Sequence, residues 1–407
     1  MSPKHIIPFG TAELEKHIRR IVWRFGCLES DWRVLAFCTV SYRDKPASTL
    51  LEIAIKKVAE LNKDIDPDAA TRIMNDRYVD DFASGGTSSE VSRFVGAERD
   101  NFQCGWTLPT IMSKGSFRLK ALVASGETNQ EKINKIGAKV FGIGWQPCSD
   151  TLHIDLSMSL KKVNNEKIYL SANTVKGIDR DLLTPRNLVG VVNGVYDPLC
   201  LAAPITIKLR AAFRELFRHQ SPIKWDCPLP PGTSQELWFD LLQMLVCAKN
   251  ITFYRCTKPS NSVGASQIVC FIDGSDVAFA AVIYIRWLLS DGTVFVSLLC
   301  AKTRVTPLQR ISTPRSELNN AVLGARLLLS CLRSLSQSDI IPEKVWFFEC
   351  ILASLGKVYA TFGEYFGNRL GEIMDTYAKI EQLTKSDIQL MHVHSQDNAA
   401  DIAKRLD

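Results

Sequence analysis

The sequence lacks any apolar run near the roughly 18 residues that a helix needs to span a bilayer. Its first residues, Met1-Ser2-Pro3-Lys4-His5, lack the apolar core of a secretory signal peptide. Internal repeats and low-complexity segments are also missing. We therefore expect a soluble intracellular protein, in the cytoplasm or the nucleus, with no membrane partner.

Closely spaced cysteines are missing as well. The 407 residues include 12 cysteines, but no two of them form a CxxC motif, so no zinc-ligand cluster is predicted. Their spread over a long chain favours reduced, buried thiols over disulfides. The sequence contains no Asp-Thr-Gly or Asp-Ser-Gly, so we predict no aspartic-protease site.

The composition sets only wide limits on function. The length allows two or three domains, and 46% apolar residues is ordinary for a folded globular protein. The formal net charge of +6 is compatible with a nucleic-acid partner but is weak support for one.

Capping signals predict several helices. Thr184 precedes Pro185 and predicts a helix start, and Pro204 and Pro314 open two more, the last continuing to about Leu335. Thr87-Ser88-Ser89-Glu90 is typical of a capping box.

Strand patterns dominate the last third of the chain. Five apolar runs predict strands at Ile268–Ile272, Phe279–Trp287, Val294–Ala301, Val345–Phe348 and Ile388–Val393. The residues from Leu288 to Thr293 suit a hairpin turn. Three strands followed by alternating helices and strands predict an α/β layout.

An aspartate doublet ends the segment Tyr78-Val79-Asp80-Asp81. Phosphoryl transfer by two divalent cations needs adjacent carboxylate oxygens of this kind, and a strand-turn-strand would present them at its tip. Aspartate is also common in solvated turns, so these four residues alone leave both interpretations open.

Ordered motifs around the doublet favour the first interpretation. They are Lys114-Gly115-Ser116-Phe117, Val140-Phe141-Gly142-Ile143-Gly144-Trp145 and the stretch from Asn193 to Pro204. Their order resembles the reverse transcriptase palm and following segment of BEL/Pao LTR retrotransposons, with Phe141 in place of the usual Leu. The resemblance implies that Asp80 and Asp81 belong to a polymerase metal site.

The last third resembles the same family. The resemblance rests on Phe271-Ile272-Asp273-Gly274-Ser275, on Ala301 to Leu308, on Thr313-Pro314-Arg315-Ser316-Glu317-Leu318 and on Asp397 to Arg405. The family's region carries the label Pao retrotransposon peptidase, but the strand order favours a ribonuclease H-like fold. The expected partner is an RNA–DNA hybrid or a template-primer.

The resemblance implies a catalytic set of Asp273, Glu317, Glu349 and Asp401 that holds two Mg²⁺ or Mn²⁺ ions. The family has Asp where Glu349 stands. Magnesium needs near-ideal octahedral geometry, so we expect metal binding to survive better than turnover. His392 and His394 share one face of the last predicted strand and are a second, weaker metal candidate.

Arg210, Arg214 and Arg218 are spaced four apart on the helix that Pro204 opens. A polar outer helix face explains such a stripe as well as contacts to template-primer phosphates do. Both interpretations stay open.

The expected fold class is α/β: an α+β palm remnant without fingers (residues 1–165), a helical thumb or connection (166–264) and a ribonuclease H-like domain (265–407).

No candidate for the first palm aspartate lies between residues 1 and 77. We therefore expect a retrotransposon polyprotein fragment that lacks an N-terminal part and cannot polymerise DNA alone, but which keeps potential ribonuclease H activity. The alternatives are a degenerate or domesticated copy that binds nucleic acid without catalysis, and an unrelated α/β protein.

Overall fold

The structure is a computed structural model, and it describes residues 20–23, 31, 33–36, 45, 47–78, 81–86, 107–119, 122–136, 139–140, 142–154, 158–161, 166–218, 223–248, 251–309, 311–348 and 364–403. The chain divides into two compact units, residues 1–141 with 147–149, and residues 142–146 with 150–407. The capping box predicted at Thr87–Glu90 lies outside the described residues.

Ten α-helices are described. They are α1 Ala47–Leu61, α2 Pro67–Asn75, α3 Thr107–Lys114, α4 Gln130–Ile136, α5 Ala172–Lys176, α6 Pro185–Gly194, α7 Ala203–Glu215, α8 Thr233–Cys247, α9 Thr313–Ser336 and α10 Glu364–Thr384. Short 3₁₀ helices span Arg180–Leu182, Ser395–Asp397 and Ala399–Ala403. Within the described part of the chain, no helix has the length and apolar character to cross a membrane.

Fifteen strands are described. They are β1 Arg20–Trp23, β2 Arg33–Ala36, β3 Arg77–Tyr78, β4 Asp81–Phe82, β5 Lys139–Val140, β6 Ile143–Gln146, β7 Thr151–His153, β8 Ser159–Lys161, β9 Lys167–Tyr169, β10 Thr252–Tyr254, β11 Ser262–Gly274, β12 Ala278–Leu289, β13 Val294–Val305, β14 Lys344–Phe348 and β15 Ile388–Met391.

The first unit has its core between α1, α2 and α3. Ile55, Ile73 and Ile111 from these three helices are buried together. Helix α2 begins where Asp66 accepts hydrogen bonds from two backbone N–H groups and Pro67 takes the first helical position, where it has no donor to lose.

The helices α6, α7 and α8 enclose a second core, in the second unit, around the buried Trp238. The predicted start of α6 is confirmed, because Thr184 accepts a hydrogen bond from the backbone of Asn187 and Pro185 follows it. Helix α7 begins one residue before the predicted Pro204. The carboxylate of Asp197 accepts hydrogen bonds from the backbone N–H groups of Leu201 and Ala202, the two residues that precede the helix.

The largest sheet has the strand order β13-β12-β11-β14-β15. Strands β11, β12 and β13 are antiparallel neighbours, whereas β14 and β15 run parallel to β11. All five predicted strands and the hairpin between β12 and β13 are present, but β15 ends at Met391, before the predicted end at Val393. Strand β11 is longer than predicted, since it continues past a register shift between Val263 and Gln267.

Helices cover both faces of this sheet. On one face, α9 and α10 bury Ile272, Ile283 and Phe347. On the other face, Ala203 and Ile207 of α7 pack against small residues of β12 and β13. The expected α/β class is confirmed, and the three predicted domains stay a prediction.

The described cysteines form no disulfide, in agreement with the prediction. The expectation of buried thiols was wrong for four of them, which are exposed. These are Cys148, Cys227, Cys247 and Cys256.

Candidate active site

Asp273 lies one residue before the end of β11, at the centre of the five-stranded sheet. Its side chain is only 8% exposed. The next residue, Gly274, packs so closely on α9 that a Cβ there would lie 3.3 Å from the carbonyl oxygen of Ser316. The strand end that carries Asp273 is therefore pressed against the first turn of α9.

Glu317 follows directly after the first turn of α9 and is partly buried. The preceding residue, Ser316, is 1% exposed, and its hydroxyl donates a hydrogen bond to the carbonyl oxygen of Ser275 over 3.0 Å. Because Ser275 follows β11 directly, this bond fixes the turn of Glu317 beside the strand end of Asp273.

Asp401 belongs to the 3₁₀ helix Ala399–Ala403 and is 6% exposed. The side-chain amide of Asn398 donates to the carbonyl oxygen of Ile272 over 2.9 Å, so this segment is tied to β11 one residue before Asp273. The hydroxyl of Ser395 donates to Oδ1 of Asp401 over 3.1 Å and orients the carboxylate. Asn398 lies within the motif Asp397 to Arg405, and the sequence alone predicts no role for it.

Glu349 lies outside the described residues, but the strand that leads to it does not. Phe348 ends β14 and stacks on Phe271 of β11 with 4.8 Å between ring centroids. The parallel pairing of Phe271 with Phe348 brings the end of β14 alongside the end of β11.

The donor set suits hard divalent cations, which prefer carboxylate oxygens. Three of the four predicted ligands, Asp273, Glu317 and Asp401, lie on elements that meet at one end of the sheet. Among the described residues, however, no three His, Cys, Asp or Glu side chains form a group that could hold a metal ion. The two-metal site stays a prediction. The prediction that His392 and His394 lie on the last strand was wrong, because β15 ends at Met391 and both residues follow it. Their ring centroids lie 5.6 Å apart, and they belong to no such group either.

The polymerase doublet is described only in part. Strands β3 and β4 pair antiparallel, with Tyr78 opposite Asp81, so the two strands expected to flank the doublet are present. Asp81 is partly buried, and Asp80 lies outside the described residues. The role of Asp80 and Asp81 as polymerase metal ligands stays a prediction.

Arg210 and Arg214 on α7 and Arg218 just after it have different surroundings. The side chain of Arg214 is 9% exposed and forms an ion pair with Glu215. Its guanidinium donates to the carbonyl oxygens of Thr306 and Val277, over 2.9 and 3.3 Å. Arg214 therefore joins α7 to the loops at the ends of the sheet. Arg210 is partly buried, and nucleic-acid binding by Arg210, Arg214 and Arg218 stays a prediction.

Arg218 is exposed and forms an ion pair with Glu215 at 3.2 Å. It also lines a cavity of about 470 Å³ together with Asp276, Thr306 and Leu308. The cavity lies beside the turn that follows β11, at the same end of the sheet as Asp273.

Solved structures similar to this chain include three ribonucleases H. The N-terminal RNase H domain of Rv2228c from Mycobacterium tuberculosis, solved as a fusion with maltose binding protein, is 13% identical with a TM-score of 0.20, and the match covers 33% of this chain and 86% of that one. RNase H1 from Halobacterium salinarum is 11% identical with a TM-score of 0.19, covering 34% and 91%. LC11-RNase H1 in complex with RNA/DNA hybrid is 14% identical with a TM-score of 0.21, covering 33% and 88%.

The comparison with curated proteins gives no significant match. The comparison with family models gives a match over a segment that begins at Thr184, the N-cap residue of α6, and ends with β14. It includes Asp273 and Glu317 but not Asp401. Residues 184–348 match the family described as the Pao retrotransposon-like RNaseH-like domain.

Proposed function

We propose that this chain is part of a retrotransposon polyprotein whose ribonuclease H-like domain binds RNA–DNA hybrids and hydrolyses the RNA strand. The observation that carries the proposal is the convergence of Asp273 and Asp401. Both carboxylates are more than nine-tenths buried, on segments joined by the bond from Asn398 to Ile272. The family match of residues 184–348 supports the same assignment.

Asp273 and Asp401 lie on two adjoining segments at one end of the sheet. Burial of acidic side chains is costly, and a bound cation would offset the cost of burying both charges. Asp273, Glu317, Glu349 and Asp401 are the residues that would hold Mg²⁺ or Mn²⁺. Bound ions of this kind supply an activated water and neutralise charge on the phosphate. The chain itself orients the carboxylates. Ser395 donates a hydrogen bond to Asp401, and the bond from Ser316 to Ser275 fixes the helix beside Glu317.

A labelled RNA–DNA hybrid tests the proposal directly. The chain is incubated with the hybrid and Mg²⁺ or Mn²⁺, and compared with Asp273→Asn and with Asp375→Asn. Asp375 is exposed on α10 and serves as the charge-matched control. We expect cleavage of the RNA strand by the chain and by Asp375→Asn, and none by Asp273→Asn. Cleavage that persists in Asp273→Asn would refute the assignment.

The second candidate function is hybrid binding without catalysis, which the residue at position 349 favours. Glu349 stands where the family has Asp, and displacement of a catalytic group by about 1 Å can cost roughly 100-fold in rate. We expect Glu349→Asp to raise the cleavage rate. A chain that binds the hybrid but cleaves it neither before nor after this change would be a binding protein only.

For the first unit, we propose that Asp80 and Asp81 are the remnant of a reverse transcriptase metal site. Primer extension with Mg²⁺ or Mn²⁺ should give no incorporation by this chain alone. Clear incorporation would show a working polymerase.

A further inference from the structure

Two arginines share one aromatic ring beside the turn that carries Glu317. The guanidinium carbons of Arg315 and Arg369 lie 4.8 Å and 3.6 Å from the ring centroid of Tyr365. Arg315 belongs to the first turn of α9, and Tyr365 and Arg369 to the first two turns of α10. We call these three residues with Asn319 the arginine–tyrosine cluster.

Asn319 fixes the α10 side of the cluster. Its Oδ1 accepts hydrogen bonds from the Tyr365 hydroxyl over 3.0 Å and from Nε of Arg369 over 2.6 Å. Arg369 also donates from Nη1 to the carbonyl oxygen of Tyr365 over 3.2 Å. The ring and the Arg369 guanidinium are therefore held in a defined position before any ligand arrives.

The positive charge of the cluster is not neutralised within the described part of the chain. Neither Arg315 nor Arg369 forms an ion pair with a described carboxylate, and Arg315 makes no hydrogen bond there and is exposed. Two cations beside one ring repel each other. An anion that bound both would relieve this repulsion, and the planar arginine fork matches the oxygens of a phosphate.

The direction of the two helices places the cluster at the candidate active site. Asn319 contacts Tyr365 near the start of both helices, and Arg326 pairs with Glu372 further along both, so α9 and α10 run parallel. The cluster thus lies at the same helix ends as Glu317, which stands between Arg315 and Asn319 in the sequence.

We propose that the arginine–tyrosine cluster binds the phosphodiester backbone of a nucleic-acid strand and leads it to the carboxylates at the end of β11. The inference rests on the proposed function and names a contact surface for its substrate. Arg315, with its unengaged donors, makes the principal contact, and Arg369 on the fixed ring makes the second.

Binding without cleavage provides the test. A labelled RNA–DNA hybrid is titrated with the full chain in EDTA at several salt concentrations, and the fluorescence anisotropy is measured. The variants are Arg315→Ala, Arg369→Ala and Arg369→Lys. The matched control is Arg326→Ala, which removes the same charge from α9 at a guanidinium that Glu372 already pairs with.

For Arg315→Ala we expect the Kd to rise about tenfold and the slope of log Kd against log salt to fall by about 1, as for the loss of one phosphate contact. Arg326→Ala should stay within about twofold of the unchanged chain, because its charge is already paired. Arg369→Ala should also weaken binding, and Arg369→Lys, which keeps the charge, should recover part of the loss even if the alanine variant is less stable.

The outcomes separate the two proposals. If the unchanged chain binds the hybrid and Arg315→Ala matches Arg326→Ala in affinity and salt slope, the cluster is not a binding surface, whereas the proposed function stands. If the unchanged chain binds no hybrid, both are overturned. Loss of binding in Arg315→Ala supports the cluster, whether or not the unchanged chain cleaves the hybrid in the separate assay with Mg²⁺ or Mn²⁺.

Discussion

Asn398 donates its side-chain amide to the carbonyl oxygen of Ile272 and accepts from the backbone N–H of Ala400 over 3.0 Å. One 4%-exposed side chain thereby connects the segment of Asp401 to the strand of Asp273. The relative placement of the two candidate ligands therefore depends on Asn398.

We expect Asn398→Ala to lower the free energy of unfolding by about 1–3 kcal/mol, because a buried donor and a buried acceptor lose their partner. Cleavage of the hybrid should fall further than its binding, since Asp401 would lose its position. Denaturant unfolding and cleavage rates measure both effects. Asn398→Asp keeps the acceptor but turns an anion toward the Ile272 carbonyl, so it should be equally damaging. Full stability in either variant would contradict this role.

Gly324 and Gly371 form a matched pair of helix glycines. A Cβ at Gly324 would overlap Ile272 and lie 3.1 Å from the Phe347 ring, whereas one at Gly371 would meet nothing within 4 Å. We expect Gly324→Ala to destabilise the protein by about 1–3 kcal/mol through overpacking. Gly371→Ala should stabilise it by about 0.5–1 kcal/mol through helix propensity. Thermal or denaturant unfolding distinguishes them, and equal shifts of the same sign would contradict the close packing of α9 on the sheet.

Arg214 and Arg218 test the two interpretations of the arginine stripe. Arg214→Ala should cost about 2–3 kcal/mol of stability, because the Thr306 carbonyl oxygen loses its donor from Arg214 and the Val277 carbonyl oxygen loses one of its donors. Arg218→Ala removes an exposed ion pair and should change stability by no more than about 0.5 kcal/mol. If instead both variants are stable and both weaken hybrid binding, the stripe is a nucleic-acid surface.

Asp197 provides a pH-dependent prediction. Burial raises the pKa of its carboxyl above the ordinary value of 3.8, against the lowering effect of hydrogen bonds from the backbone N–H groups of Ala202 and Leu201. With a raised pKa, the folded state holds this proton more tightly than the unfolded state. The contribution of Asp197 to stability is therefore fully present below pH 3.8 and is lost as the pH rises through the raised pKa.

Asp197→Asn has no carboxyl group to titrate, so comparison with this variant isolates the pH-dependent contribution of Asp197 to stability. The free energy of unfolding of the unchanged chain minus that of Asp197→Asn should fall as the pH rises from below 3.8 through the raised pKa. Urea unfolding at a series of pH values measures the difference. A difference that grows with pH would mean that the hydrogen bonds to Leu201 and Ala202 outweigh the burial of the charge.

Much of the five-stranded sheet could be predicted because of its burial. Helices cover both of its faces, so Ile268–Ile272 and Val345–Phe348 are continuous apolar runs. The beginning of β11 could not be predicted in the same way. Gly264 and the register shift before Gln267 interrupt the pattern there, and only pairing with β12 makes this segment a strand.

The site was predictable to a lesser extent. Asp273, Glu317 and Asp401 came from a family resemblance, and the structure brings their elements together. The arginine–tyrosine cluster could not be predicted, because it joins residues about fifty positions apart through the packing of two helices. Their sequence spacing also places Arg214 and Arg218 on one helix face, but it does not predict that the Arg214 side chain is nearly buried against the loops after β11 and β13.

The contact of α7 with the sheet has a consequence for any shorter piece of this protein. Ala203 and Ile207 lie on the face formed by Ala278, Ala280 and Val282. A protease cut between α7 and β11 that removed the helix would leave this face in water, and the released piece would tend to aggregate. The shortest piece with both faces of the sheet covered therefore begins upstream of Ala203, well before the first strand of the sheet.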